Sequence, residues 1–137
     1  MKTEPTEINF GDTPCAGGQR KIVVYPFNEE SIEENVADDI QPANYRIGRL
    51  DKQVYEVIYV GRVEIRQDRG LKDRMNEHLA EFEGDCYFEW NEANNVPDSY
   101  IRECLVYHCW SKVGNLENQE HPGKPSGYQV ICPVCGK

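Results

Sequence analysis

Two β-rich segments, Ala43-Asn-Tyr-Arg-Ile-Gly-Arg-Leu and Val57-Ile-Tyr-Val-Gly-Arg, precede Gly70-Leu-Lys-Asp-Arg-Met-Asn-Glu-His-Leu, in which apolar residues recur at helical spacing. This order constrains the fold more than any other feature of the chain, because it reads as a hairpin feeding a helix. The hairpin is expected over residues 44–50 and 54–61, with Asp51-Lys52-Gln53 at its tip. The helix is expected from Gly70 to Glu83. Leu71, Met75, Leu79 and Phe82 would bury one stripe and leave Arg74 and His78, one turn apart, on a neighbouring stripe. Tyr45 and Tyr59 at strand ends, the pair Gly61-Arg62, and Arg74 with His78 then converge on one small polar site. Gly61 is read as permitting a tight turn.

Cys86-Tyr-Phe-Glu-Trp alternates and is aromatic, as a third strand would be. Pro97-Asp98-Ser99 starts a second helix running to about Trp110, with Ile101 and Leu105 on its buried side. The expected fold class is therefore α+β: a three-stranded antiparallel sheet flanked by helices near residues 70–83 and 98–110. Ahead of it, residues 1–20 carry Pro5, Gly11, Pro14, Gly17 and Gly18 without periodicity, and read as an extended or disordered arm. Ile22-Val-Val-Tyr-Pro-Phe is a short strand that Pro26 ends or confines to a sheet edge. Ser31 is expected to cap a short acidic helix, with Glu34 completing a capping box and Ile32, Val36 and Ile40 as its apolar stripe. After the second helix, Gly114, Pro122, Gly123, Pro125 and Gly127 punctuate the chain before one short strand, Tyr128 to Ile131. The organisation is an acidic N-terminal extension (1–40), a central domain (41–122) and a C-terminal tail packed on that domain (123–137).

Asn44-Tyr45, Tyr59-Val60-Gly61-Arg62, Arg74, His78, Glu103 and Asn118 occur in an order that resembles the GIY-YIG endonuclease family, over roughly residues 42–122. The likeness is closest at Tyr59 to Arg62, where that family has Tyr-Ile-Gly and a basic residue. At the first motif Asn44 stands where a Gly-Ile or Gly-Val step would precede the tyrosine. The resemblance implies a GIY-YIG-like sheet and hydrolysis of phosphodiester bonds in DNA. By the same resemblance Tyr45 lies near the attacking water, Tyr59 supports it, and His78 positions or deprotonates that water. Arg74 would stabilise the transition state, Glu103 would bind magnesium or manganese, Arg62 would contact substrate, and Asn118 would orient the site or touch substrate.

Phosphodiester hydrolysis needs an activated water, counter-charge for developing oxyanions and help for the leaving oxygen. One divalent ion held by a carboxylate supplies two of these. A tyrosine relays a proton when cations lower its effective pKa from about 10, and Arg62 and Arg74 are placed for that. Tyr107, four residues after Glu103, falls on the same helical face and is expected to support it.

The formal charge of −9 works against a nucleic-acid partner. It is unevenly spread: residues 1–40 hold 9 acids and 3 bases, whereas residues 46–74 hold eight bases (Arg46, Arg49, Lys52, Arg62, Arg66, Arg69, Lys72, Arg74) against five acids. A local basic surface and an ordinary mixed solvated surface both fit this pattern. The acidic helix is read as a solubilising face, or as a segment that competes with nucleic acid for the basic surface.

Cys132-Pro-Val-Cys-Gly-Lys has the form of half a zinc knuckle. Cys104, His108, Cys109 and His121 are the upstream candidates to complete it, and His108, His121, Cys132 and Cys135 are favoured, because that set staples helix, loop and tail together. A redox dithiol and free thiols compete with structural zinc. Cys15 and Cys86 read as unrelated to this site. No apolar run approaches the ~20 residues that span a bilayer. The polar, acidic first residues resemble neither a signal nor a transit peptide, so cytoplasmic residence is expected. Two functions remain open: a metal-dependent DNA endonuclease, and a catalytically weak or inactive module of that fold binding nucleic acid or a protein partner.

Overall fold

The long hairpin is β3 (Ala43–Asp51) and β4 (Val54–Val63), paired antiparallel in a register that sets Tyr45 opposite Gly61 and Ile47 opposite Tyr59. In the computed structural model, residues 3–9, 15, 21–38, 40–51, 54–65, 70–82 and 85–137 are described. Several residues used above lie outside them: Lys52 and Gln53 of the hairpin tip, Arg66 and Arg69 of the basic run, Asp39, Glu83, and Gly11, Pro14, Gly17 and Gly18 of the arm. Around the hairpin stand β1 (Thr6–Asn9), β2 (Lys21–Pro26), α1 (Glu29–Asn35), α2 (Leu71–His78), β5 (Cys86–Glu92) and α3 (Val96–Ser111).

The fold class is α+β as expected, but the antiparallel sheet has five strands, ordered β1-β2-β5-β3-β4, where three were expected. The correction lies in the N-terminal segment. Tyr25 and Pro26 pair with Phe88 and Tyr87, which adds β2 to the free edge of β5, and β1 then pairs with β2. Thr6-Glu-Ile-Asn offers a single apolar residue among turn formers, yet Ile8 is fully buried against Val24, Tyr55, Val57, Val60 and Trp110. Pro26 does end its strand.

β3 is hydrogen-bonded on both edges and covered on both faces. On one face Ala43, Tyr45 and Ile47 pack with Leu71 and Met75 of α2 and Ile32 of α1. On the other, Arg46 makes a two-pronged pair with Glu89 and donates from Nη1 to Asn91 Oδ1 at 2.7 Å. Charge survives there because each partner satisfies the other.

Helix boundaries moved for local reasons. Asn28, not Ser31, caps α1: its Oδ1 accepts the Ser31 N–H at 2.8 Å, and Ser31 is buried inside the helix. α2 stops at His78 and the chain turns, which still carries Phe82 back into the core. Asn95 caps α3 by accepting the Asp98 N–H at 2.8 Å, so the helix starts two residues before the expected position. Its buried side is Tyr100, Glu103, Cys104 and Trp110, whereas Leu105 is 48% exposed, contrary to expectation. Residues 128–131 form no strand. Tyr128 and Ile131 are exposed there, and turns around Gly127 (φ +83°) and Gly136 (φ +79°) shape the tail instead.

Candidate functional site

Tyr45, Tyr59, Gly61, Arg62, Val63, Glu64, Arg74 and Glu103 line one cleft of about 200 Å³. The hairpin register puts Tyr45 and Tyr59 on the same face, with ring centroids 6.3 Å apart in a stacked arrangement. Tyr45 Oη lies 2.7 Å from His78 Nε2, and His78 Nδ1 lies 2.9 Å from Glu81 Oε2. A carboxylate on Nδ1 places the ring proton there and leaves Nε2 to accept from the phenol, so the three form a Glu81–His78–Tyr45 relay. Tyr45, Tyr59, Arg74, His78 and Glu103 thus come together.

Their protonation differs from what the sequence suggested. Burial pushes the Tyr45 phenol well above its usual value. Tyr59, Glu103 and Glu81 reinforce this, and the Arg74 charge only partly offsets it. Burial likewise raises Tyr59, helped by Glu103 and Glu81. The expected lowering by Arg62 and Arg74 therefore does not occur: desolvation of a nearly inaccessible phenol outweighs one cation, and Arg62 is engaged elsewhere.

Arg62 donates from Nη1 to Glu103 Oε1 at 2.5 Å, from Nη2 to Glu64 Oε2 at 2.7 Å, and from Nη2 to the Gly123 carbonyl at 2.6 Å. It is not the free substrate contact that was expected. Glu103 is buried, and burial raises its pKa, opposed mainly by Arg62. This arrangement lends no support to a magnesium site at Glu103, because its carboxylate and that of Glu64 both bind the Arg62 guanidinium. Among the described residues that line the cleft, Arg74 is the cation left for a ligand: Glu77 is 3.6 Å away, and Nε makes no hydrogen bond to any of them.

Asn118 spends its amide on β4, accepting the Val60 N–H and donating to the Val60 carbonyl, both at 2.9 Å. It clamps the strand edge next to Gly61, so its amide is engaged with the backbone of β4. Gly61 is no turn residue; a Cβ there would lie 2.3–2.8 Å from Tyr45 ring atoms and its hydroxyl. Tyr107 turns from Glu103 toward the tail, 5.4 Å from the His108 ring and 5.6 Å from the His121 ring.

Those histidines belong to a second centre. Ligand atoms of His108, His121, Cys132 and Cys135 all lie within 4.8 Å of one another, a cluster that could hold a metal ion. Among the described residues His108 Nε2 is buried without a hydrogen-bond partner, as a nitrogen reserved for a metal would be. His121 Nδ1 lies 2.9 Å from the Pro122 carbonyl, the outer contact that orients a ligating imidazole, and this frees Nε2, which is 3.4 Å from Cys135 Sγ. A tetrahedral zinc ion would separate such a pair by ~3.6 Å, from the usual Zn–S and Zn–N lengths. Burial opposes ionisation of Cys132, but hydrogen bonds from the Cys135 amide, His121 and the Val134 amide bring its thiol down to about 5. Cys104 and Cys109 are not ligands. Cys104 packs with Tyr100 and Cys132, and Cys109 is disulfide-bonded to Cys15.

No protein-family model matches the chain, nor does any curated protein or solved structure. Function therefore rests on the geometry. Three contributors escaped the sequence reading: Glu81, Glu64 and the Gly123 carbonyl. Glu81 follows His78 at i+3, and Glu64 follows Arg62 by two just past the end of β4, so spacing could have flagged both; a backbone carbonyl carries no such signal. No helix among the described residues is long and apolar enough to cross a membrane.

Proposed function

We propose that the protein is a phosphodiester hydrolase, a GIY-YIG-type endonuclease acting on DNA, whose tail is stapled by a structural zinc ion. The observation that carries this reading is the meeting of Tyr45, Tyr59, Arg74 and Glu103 in one cleft, with His78 hydrogen-bonded to Tyr45. The phenol is neutral at rest. As water attacks phosphorus, the ester P–O bond breaks and the leaving oxygen takes a proton from solvent. Tyr45 passes its proton to His78 Nε2 and takes one from the attacking water, Glu81 stabilises the imidazolium that forms, and His78 returns that proton to solvent after the step. Because its pKa is high, the transient phenolate is a strong base. Arg74 forks onto the phosphate and offsets charge on its oxygens. Glu103 fixes Arg62 at the cleft wall, where the pair shapes the site beside Arg74.

Two thiolates and two imidazoles with no open position are the donor set of structural zinc. The tail has little apolar content of its own, so metal binding supplies what packing does not. A second reading, a module that binds nucleic acid or a protein without cutting, is favoured by one observation: the Arg62–Glu103 pair occupies both groups in the resting cleft.

The test is a cleavage assay on duplex, nicked and branched DNA with magnesium or manganese varied, since the resemblance implies a divalent ion. Cleavage by the wild type and not by Glu103→Gln supports the hydrolase. Binding without cleavage under every condition, identical in the two proteins, replaces it with the binding module.

A further inference from the structure

The cleft and the metal centre are joined by three structural links. Arg62 Nη2 donates to the Gly123 carbonyl at 2.6 Å, two residues after His121. The Arg62 guanidinium also sits 5.3 Å over the Tyr100 ring, whose hydroxyl donates to the Lys137 carbonyl at 3.0 Å and which packs with Cys104 and Cys132. Finally, Glu103 and His108 ride on the same helix, five residues apart.

We propose that metal occupancy of the His108/His121/Cys132/Cys135 centre sets the position of Arg62, so that the tail is a metal-dependent latch on the Arg62–Glu103 pair in the cleft. The inference rests on the zinc reading of the centre and is independent of whether the cleft cuts DNA. Its physical basis is the origin of Arg62's partners. Glu64 is two residues along the chain, just past the end of β4, and stays within reach in any state of the tail. The Gly123 acceptor comes from the loop carrying a ligand, and the Tyr100 wall is backed by another ligand, Cys132. Nothing lies within 4 Å of where a Gly123 side chain would project, so that side of the carbonyl's residue has no packing to hold it. Pro122 and Pro125 are buried on either side, but a metal on His121 and Cys135 is what closes the loop against the knuckle. When metal leaves, Arg62 falls back toward Glu64 and solvent, and Glu103 loses its fixed partner. Arg62 is in this sense a positioning residue.

The experiment is nitrogen NMR of the arginine side chains in the full chain, first loaded with one equivalent of zinc and then stripped by a chelator. Metal content is measured on both samples. Arg46, held by Glu89 and Asn91 of β5 rather than by the tail, is the internal control. In loaded protein Arg62 is expected to give separate Nη1 and Nη2 signals. Stripping should accelerate their exchange on the order of tenfold or more, as for loss of one charge-assisted hydrogen bond, with Arg46 unchanged. Cys135→Ser, which alters an exposed ligand remote in sequence from Gly123, should reproduce the stripped Arg62 signal. An Arg62 that ignores zinc overturns the latch. So does acceleration of Arg62 and Arg46 together, which makes the metal a folding staple alone. Failure to take up zinc is read directly from metal content, and it ends the zinc reading and the latch with it.

Discussion

Gly61 stands opposite Tyr45 in the β3–β4 ladder, and a methyl group there would meet the phenol at 2.3–2.8 Å. Gly61→Ala is therefore expected to destabilise by about 1–3 kcal/mol and to push Tyr45 off His78. Gly123→Ala, at open space, is the neutral comparison in the same denaturant titration. Protonation of the buried phenols gives a second prediction at this scale. Tyr45 and Tyr55 both hold their protons well above the usual tyrosine value, chiefly through burial. A raised folded-state pKa contributes stability that is fully present below the unfolded value of about 10 and is lost as pH rises through the folded value. The thermal midpoint should thus fall steeply above pH 10, and less steeply in Tyr45→Phe. An unchanged slope in that variant contradicts the assigned burial.

At the scale of elements, α3 matters most, because one helix carries Glu103 to the cleft and His108 to the metal centre. Asn95 caps it, and Asn44 Nδ2 ties β3 to its first turn through the Ser99 carbonyl at 2.8 Å. Asn95→Ala is expected to cost about 0.5–2 kcal/mol in chemical unfolding, and a change below the detection limit would mean that the cap is idle. Much of this level was legible beforehand. The hairpin, the α2 stripe of Leu71 and Met75, and the strand from Cys86 all follow from periodicity, which burial enforces. β1 was not, since four residues with one apolar member gain their stability from a neighbouring strand rather than from themselves. Leu105 was misplaced because α3 buries polar Glu103 in order to pair it with Arg62. The metal cluster was legible in full, because ligand chemistry marks His108, His121, Cys132 and Cys135 however the chain folds. What burial does to Tyr45, and what Arg62 binds, are set by packing that no motif records.

For the whole molecule, two covalent or coordinate ties supplement a small core. Cys15–Cys109 closes a separation of 94 residues, and the proposed zinc joins α3, the proline-rich loop and the tail. Thiol titration of unfolded, metal-free protein prepared without reductant should count four free thiols, Cys86, Cys104, Cys132 and Cys135. A count of six would remove the disulfide from the account. Chelation should lower the thermal midpoint by about 10 °C or more, given the folding energy structural zinc supplies. The central claim remains that the cleft between β3, β4, α2 and α3 cleaves phosphodiesters. The most direct measurement is single-turnover cleavage of a radiolabelled branched duplex by wild type and Glu103→Gln, with binding measured on the same samples. A rate lower by about 10²-fold is predicted in the variant, the size expected when a contact that positions a cleft group is lost, with DNA affinity and stability little changed because Arg62 keeps Glu64 as a partner. Equal rates in the two proteins, or no cleavage by the wild type with either magnesium or manganese, would contradict it.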